Sequence, residues 1–214
     1  GSTPPRVDRA KIATFTDNFE DPLPHWRAPY GGGTVSWVGG RLRMQITQAV
    51  SGGGDGYTGI SSDRAWDLTE SSCFIRLYPP TAPSRGDQIA FRTIGPRGGT
   101  FLLAVEALRG SLRLLARRSA HGPNPNDVYA SYDPTQDAYL RIRNTGPTMF
   151  WETAPSHAGP WRTIRREPLQ PGYDIASVRV DLYAGNWGTN PSPPGRYAWW
   201  DDLNEPRQTP RAGG

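Results

Sequence analysis

The chain has 214 residues, a formal net charge of +4, 36% hydrophobic residues and 11% aromatic residues. Eight Trp, nine Tyr and six Phe supply ample apolar area for a packed core, which excludes a disordered chain. The single Cys excludes an internal disulfide, and no apolar run approaches the roughly 20 residues of a membrane span, so no membrane insertion is expected.

Most of the sequence reads as short strands separated by Gly- and Pro-rich turns. Arg41-Leu42-Arg43-Met44-Gln45 alternates polar and apolar residues, as a half-buried strand does. The same reading predicts strands over residues 12–19, 34–38, 41–47, 57–62, 73–78, 88–94, 100–106, 111–117, 139–143, 148–153, 161–165, 177–184 and 197–203.

No stretch has helical spacing over three turns, and about a dozen strands at this spacing predict an all-β, antiparallel two-sheet sandwich. We expect residues 1–13 to be a tether, with Gly1-Ser2 typical of a cloning remnant. The sandwich domain is expected over 14–203 and a disordered tail over 204–214. The basic residues are scattered Arg with a single Lys, a pattern that does not favour nucleic-acid binding.

The order of these segments resembles the concanavalin A-like lectin/glucanase superfamily. The resemblance is strongest to the laminin-G-like jelly-roll domains appended to bacterial glycosidases and to tail proteins of actinobacterial phages. It is carried by Phe15 to Phe19 before Trp26, Gly39-Gly40-Arg41-Leu42, Tyr57-Thr58-Gly59-Ile60, Tyr132-Asp133-Pro134, Tyr139 to Arg143, Trp151-Glu152-Thr153, Trp161 and Trp200-Asp201-Asp202-Leu203. It implies a jelly-roll fold.

Catalysis by the mechanism of the superfamily's retaining glucanases requires Glu-x-Asp-x-x-Glu on one strand, which sets two carboxylates about 5–5.5 Å apart. None of the six Glu has Asp two residues later. We therefore expect a non-catalytic module. The alternatives are a glycan-cleaving enzyme of the same fold and a structural, trimerising module of a tail fibre.

Sugar binding needs aromatic faces to stack on the ring and oriented polar groups for the hydroxyls. Tyr183, Asp181 and Arg179 alternate outward on one predicted strand, and Trp187 lies in the Gly- and Asn-rich loop that follows. Arg141 lies on the outward face of another strand. These five residues form the predicted carbohydrate site.

A structural calcium ion is the expected cofactor. Acidic residues lie in the first and last segments, which are commonly adjacent in such sandwiches, and hard oxygen ligands suit calcium. The predicted ligands are Asp17, Glu20, Asp201 and Asp202.

These features together predict a module that recognises a cell-surface glycan, as the receptor-binding or distal domain of a phage tail protein or as part of a secreted polysaccharide-active protein. The expected location is extracellular or on the virion. A homotrimer is the expected assembly if the domain belongs to a tail fibre.

Overall fold

Thirteen strands and one short 3₁₀ turn make up the part of the chain that the computed structural model describes, residues 9–22, 25–47, 56–119, 127–188 and 195–205. The strands are β1 Val35–Val38, β2 Arg41–Gln45, β3 Gly56–Ser61, β4 Ser72–Tyr78, β5 Asp87–Ile94, β6 Thr100–Leu108, β7 Ser111–Ser119, β8 Val128–Ser131, β9 Tyr139–Asn144, β10 Thr148–Ala154, β11 Arg162–Pro168, β12 Arg179–Asn186 and β13 Tyr197–Asp201. The predicted all-β fold is confirmed. No helix among these residues has the length and hydropathy that crossing a bilayer requires.

The strands form two antiparallel sheets. One has seven strands in the order β1-β2-β13-β4-β9-β10-β11, and the other has five in the order β12-β5-β6-β7-β8. Strand β3 runs beside β12, where the Ser62 amide donates to the Val180 carbonyl. The last strand, β13, lies between β2 and β4, inside a sheet whose other strands come from earlier in the chain, as expected of a jelly-roll sandwich.

The core lies between the sheets and is filled by the apolar side of the alternating strands. In β2, Leu42 and Met44 are buried while their Arg and Gln neighbours are not. Trp151 and Trp200 are the largest fully buried side chains from the seven-stranded sheet, and Phe91 and Phe101 are their counterparts from the other sheet. Phe101 packs against Trp151 with ring centroids 5.7 Å apart, so large aromatic side chains join the two layers.

Three strands of the five-stranded sheet depart from simple alternation. In β5, β6 and β12, residues on both sides of the strand are buried over most of the length. The outer side of this sheet carries its own small apolar cluster of Ala90, Leu102, Ala104, Leu115 and Tyr183. The five-stranded sheet therefore has a second packed surface, away from the main core.

The two ends of the described chain are bound to each other. Asp17 and Leu203 exchange both backbone hydrogen bonds, and Ile12 is fully buried in the core. The predicted strand over 12–19 is instead a 3₁₀ turn, Ile12–Thr14, followed by this isolated bridge. The packed structure extends on both sides of the expected 14–203 domain, to Lys11, which pairs with Asp67, and to Asn204.

The side chain of Asn204 stabilises this contact between the two ends of the described chain. Its side-chain amide donates to the carbonyls of Ile12 and Phe15, at 3.0 and 2.9 Å, and its carboxamide oxygen accepts the Phe74 amide at 2.8 Å. Its φ of 50° lies in the left-handed region, where Asn is tolerated better than most residues. One side chain thus joins the first segment, β4 and the end of the chain.

We expect Asn204→Ala to lower the free energy of unfolding by about 2–3 kcal/mol, because two carbonyls and one amide lose their partner and Ala is strained at positive φ. In thermal unfolding this corresponds to a fall in Tm of about 5–10 °C for a domain of this size. Asn18→Ala is the control, since among the described residues its exposed side chain bonds the Glu20 amide alone, at 3.2 Å. Equal losses in the two variants would contradict the assigned role of Asn204.

Candidate functional site

The outer surface of the five-stranded sheet, here called the five-stranded face, combines buried charged groups with exposed aromatic rings. Its polar side chains alternate with the core residues on β12, β5, β6 and β7. They are Asp181, Gln88, Arg92, Glu106, Arg113 and Arg117.

A continuous row of hydrogen bonds crosses this face. The Tyr183 hydroxyl donates to Gln88 Oε1 at 2.6 Å, and Gln88 Nε2 donates to Glu106 Oε1 at 2.8 Å. Arg113 Nε donates to Glu106 Oε2 at 3.0 Å, and its guanidinium carbon lies 3.8 Å from the centre of the Tyr129 ring. The register accounts for the row, because Gln88 faces Glu106 and Glu106 faces Arg113 on adjacent strands. Each of the five strands contributes one member.

Asp181 anchors a second polar group on the same face. It is 1% exposed and accepts hydrogen bonds from Arg92 Nε and the Ser61 hydroxyl, both at 2.6 Å, and from the Tyr30 hydroxyl at 3.0 Å. Burial, and next the negative charge of Asp181, raise the pKa of Tyr30. The phenol therefore stays protonated at neutral pH and remains a donor to the carboxylate.

An apolar floor separates the two polar groups. Ala90, Ala104 and Leu115 lie opposite one another on β5, β6 and β7 and are fully buried. The Tyr57 and Tyr183 rings meet edge to face at one end of this floor, with centroids 4.8 Å apart. Burial raises the pKa of Tyr183, so its hydroxyl is a neutral donor in the polar row.

Exposed aromatic rings border the face. Trp187, Tyr129 and Tyr30 are 44%, 47% and 37% exposed, and they are three of the four exposed large apolar side chains among the described residues. Trp187 follows the end of β12, Tyr129 lies on the edge strand β8, and Tyr30 pairs with Gly59 of β3 at the other edge. Sequence reasoning identified only Trp187, because a lone Tyr in a four-residue strand gives no signal that it lies at an edge.

The predicted carbohydrate site is divided by the structure. Asp181, Tyr183 and Arg179 lie on β12 and Trp187 directly follows it, but Arg141 lies on β9 in the other sheet. Trp187 is exposed, whereas Tyr183 is only 5% exposed and has no free ring face for a sugar. Arg179 donates to the carbonyls of Ser62 and Asp63, at 3.0 and 2.5 Å. Sugar binding by these residues stays a prediction.

The predicted calcium ligands lie near the junction of the termini but do not converge. Both oxygens of Asp17 accept N–H groups, from Phe19 at 2.7 Å and from Trp26 Nε1 at 2.8 Å. Glu20 is exposed and lies next to Gly40, Asp201 accepts the amide of the next residue, and Asp202 accepts the Tyr139 hydroxyl. Within the described ranges, no group of three or more His, Cys, Asp or Glu is arranged to hold a metal ion. Calcium stays a prediction without a ligand cluster to support it.

No protein-family model and no curated protein matches the sequence. Solved structures match the fold. A prokaryotic β-1,3-1,4-glucanase (lichenase) from a mouse hindgut metagenome is 12% identical, with a TM-score of 0.63 over 90% of this chain and 99% of its own. The Crh5 transglycosylase in its apo form is 14% identical, with a TM-score of 0.65 over 95% of this chain and 87% of its own.

A structure described under endo-acting O-glycanases that initiate mucin breakdown, from human gut microbiota, is 14% identical, with a TM-score of 0.59 over 89% of this chain and 98% of its own. The fold is the concanavalin A-like jelly roll. These similarities concern the fold, and the predicted jelly-roll fold is confirmed.

The comparisons overturn the prediction of a non-catalytic module. Structures that share the fold over about nine-tenths of this chain include a glucanase and a transglycosylase. The prediction was wrong in its logic, because it treated one missing strand motif as the absence of catalysis. A sheet face gathers side chains from several strands, so carboxylates need not come from a single one. On the outer side of β6 itself, Leu102, Ala104 and Glu106 alternate, and Glu106 is the one carboxylate.

Glu152, on the outer side of the seven-stranded sheet, gives a pH-dependent test of the electrostatics. Burial raises its pKa, but hydrogen bonds and charges from Arg143 and Arg141 outweigh burial and lower the pKa below the ordinary value of 4.5. A carboxylate with a lowered folded-state pKa adds stability above its unfolded pKa and loses it as pH falls through the folded value.

We expect Glu152→Gln to lower the free energy of unfolding at pH 7 by about 1–2 kcal/mol, since two guanidinium groups lose their counter-charge. Urea unfolding from pH 7 to 2.5 should show a constant deficit above about pH 5.5 that narrows below about 4.5, near the unfolded pKa of a Glu side chain. The exposed Glu70→Gln serves as the control. A deficit that does not change with pH would contradict the assignment.

The Arg92–Asp181 pair gives a test of the five-stranded face. Arg92→Met should cost about 3 kcal/mol or more, because it leaves Asp181 buried without its counter-charge. Adding Asp181→Asn should restore part of the loss, since the uncompensated charge is then removed. A double variant that is less stable than Arg92→Met, by urea unfolding, would show that the pair does not act as a unit.

Proposed function

We propose that this domain acts on a polysaccharide, cleaving or transferring its glycosidic bonds, and that the sugar chain lies across the five-stranded face. The observation that carries the proposal is the border of exposed rings, Trp187, Tyr129 and Tyr30, around a rigid polar face that contains the carboxylate of Glu106. The fold of the chain is shared with proteins described as a lichenase and a transglycosylase.

The geometry suits a long ligand better than a single sugar. From β12 to β8 the sheet spans roughly 19 Å at about 4.8 Å per strand, and exposed rings lie at or near both sides of that span. Aromatic faces pack on the apolar side of sugar rings, while polar groups between them contact hydroxyls. A chain that contacts Trp187 and Tyr129 at once crosses the row of Gln88, Glu106 and Arg113.

Glu106 is the candidate catalytic carboxylate. It is 6% exposed, and Gln88 and Arg113 fix its two oxygens from either side. A carboxylate held in this way can stabilise the positively charged, oxocarbenium-like transition state of glycoside cleavage or attack the anomeric carbon. Because Ala104 and Leu102 occupy the preceding outward positions of β6, the proton donor for the leaving oxygen must come from another strand or from the substrate.

The catalytic proposal is tested by measuring reducing-end release and oligosaccharide transfer on β-glucans, chitin oligosaccharides and mucin O-glycans. Glu106→Gln keeps the shape and removes the charge, so we expect a loss of about 100-fold or more on the polymer that wild type cleaves. Glu70→Gln, an exposed carboxylate away from the face, is the matched control. Undiminished turnover by the Glu106 variant, or no turnover of any polymer by wild type, would refute the proposal.

The binding part of the proposal has a separate test. In affinity electrophoresis on the same polymers, Trp187→Ala and Tyr129→Ala should each weaken retardation by about 5- to 50-fold, corresponding to about 1–2 kcal/mol for a lost stacking contact. Val38→Ala removes an equally exposed apolar side chain from β1 of the other sheet and should have no effect. Retardation that survives both aromatic substitutions would place the glycan elsewhere.

We also propose the setting that the sequence indicates: a surface polysaccharide of an actinobacterial cell as the target, in a secreted protein or at the distal end of a phage tail. Repeated weak sites in a homotrimeric fibre would add avidity without new contacts. A fluorescent fusion of the chain should label such cells, and light scattering should give three times the 23.6 kDa mass of the chain. A monomer that labels no cell would contradict this setting while leaving the enzymatic proposal to its own assay.

A further inference from the structure

The outer surface of the seven-stranded sheet, here called the seven-stranded face, is a lattice of guanidinium groups and aromatic rings. The alternating outward positions of β2, β4, β9, β11 and β13 supply most of it. The guanidinium groups are Arg41, Arg43, Arg76, Arg141, Arg143 and Arg166, and the rings are Phe74, Tyr78, Tyr139, Phe150, Trp161, Tyr197 and Trp199.

Each guanidinium group on this face lies over a ring. Arg41 and Arg76 lie 4.1 and 4.8 Å from the centre of Tyr78, and Arg43 lies 4.5 Å from Tyr197. The same contact joins Arg141 to Trp161 at 4.0 Å and Arg143 to Phe150 at 4.1 Å. These contacts hold the cations in place on the sheet, so less conformational freedom is lost when a ligand binds.

The charges of the two faces differ. On the five-stranded face Arg92, Arg113 and Arg117 each pair with a carboxylate. On the seven-stranded face, six guanidinium groups of the described residues are accompanied by three carboxylates, those of Glu152, Asp201 and Asp202. Six minus three leaves a formal surplus of three positive charges on one surface, against +4 for the whole chain.

Glu152 shows what anion this surface accommodates. Its carboxylate is bound by two guanidinium groups: Oε1 accepts Arg141 Nε at 2.9 Å and Arg143 Nε at 2.8 Å, and Oε2 accepts Arg143 at 3.0 Å. A planar carboxylate between two stacked Arg side chains is thus a geometry that the face already contains.

A second pair of stacked guanidinium groups, Arg41 and Arg76, lies at the other end of the face, where Asp201 is a more distant carboxylate partner of Arg41. A cleft of about 570 Å³ is lined there by Arg41, Tyr78, Tyr197 and Trp199 together with residues 79–82. The Nε–H groups of Arg41 and Arg76, which both lie over Tyr78, have no hydrogen-bond acceptor among the described residues. The nearest oxygen of Asp201 is 3.9 Å from Arg41 Nε, beyond hydrogen-bonding distance.

We propose that the seven-stranded face is a second glycan site, specific for an acidic polysaccharide. Its uronic-acid carboxylates bind Arg41 in this cleft and Arg43 and Arg76 beside it, which lie over the cleft residues Tyr197 and Tyr78. The face supplies charge and planar donors, whereas its rings are buried or half-buried, most of them beneath the protein's own guanidinium groups. Single-stranded nucleic acids bind chiefly by stacking bases on free rings, so they fit this face poorly. The site is separate from the five-stranded face and does not depend on turnover there.

The test uses the full chain and polygalacturonate, with highly methyl-esterified pectin as a polymer of the same backbone in which most carboxylates are neutralised. We expect polygalacturonate to bind with an affinity that falls as salt rises, and the esterified polymer to bind at least tenfold more weakly. Arg41→Gln with Arg76→Gln should raise the Kd about tenfold. Arg97→Gln with Arg109→Gln, which removes two exposed charges from hairpin turns of the other sheet, should leave the Kd unchanged.

Arg41→Lys with Arg76→Lys keeps the charge and, in a folded variant, should retain salt-dependent binding with a Kd two- to fivefold above wild type. Circular dichroism and Tm establish that each variant is folded. Binding of polyuridylate or polyphosphate as tight as that of polygalacturonate would overturn the proposal in favour of a general polyanion surface. Equal affinity for the charged and esterified polymers, or equal losses in the two Gln pairs, would overturn it as well.

Discussion

The double-sided burial of β5, β6 and β12 is the constraint on which the five-stranded face depends. On a strand with one solvent-exposed side, any polar residue can lie there because water satisfies its hydrogen bonds. On a strand with both sides buried, each polar group needs a hydrogen-bond partner in the protein. Glu106, Gln88 and Asp181 are buried, and each is held by neighbours one strand away. The polar rows therefore follow from the register of the sheet, and their members are fixed before any ligand arrives.

The sequence was sufficient for the fold and for the strands that obey simple alternation. Leu42 and Met44 in β2 follow the predicted side, because one face of that strand is packed and the other is solvated. The same rule placed Tyr183 on the outward side, where it lies, but gave no sign that a second apolar cluster buries it there. Arg141 was grouped with β12 because alternation gives the side of a strand and not the sheet to which it belongs. Tyr129 and Glu106, which belong to the proposed site, were missed because their partners lie on other strands.

The error about catalysis has the same origin. A motif on one strand reports residues that are two apart in sequence, whereas most neighbours on a sheet face belong to different strands. Glu106 has Gln88 and Arg113 as its immediate neighbours, and they lie 18 and 7 residues away in the chain. The outward positions before Glu106 on β6 are occupied by Leu102 and Ala104, so the sequence of that strand alone shows no catalytic motif. Chemistry assembled across strands becomes visible only when the register is known.

The two faces are joined by a buried ion pair. Arg196, which lines the cleft of the seven-stranded face, donates to both oxygens of Asp87 at 2.6 and 2.9 Å, and Asn186 of β12 donates to the same carboxylate at 2.7 Å. Asp87 begins β5 and precedes Gln88, a member of the polar row. Removing either partner of this buried pair would leave an uncompensated charge, so the two residues are held together in the folded protein. This ion pair fixes the start of β13 against β5 and β12, so the distance between the cleft and the polar row stays constant.

A polysaccharide that reaches both faces would therefore meet the two proposed sites at a fixed distance from each other. On the five-stranded face three of the four Arg side chains, all but Arg179, pair with a carboxylate, whereas the other face has a larger positive surplus. If both proposed sites hold, the two faces would then favour different segments of the polymer, a less charged stretch over Glu106 and an acidic stretch over Arg41 and Arg76.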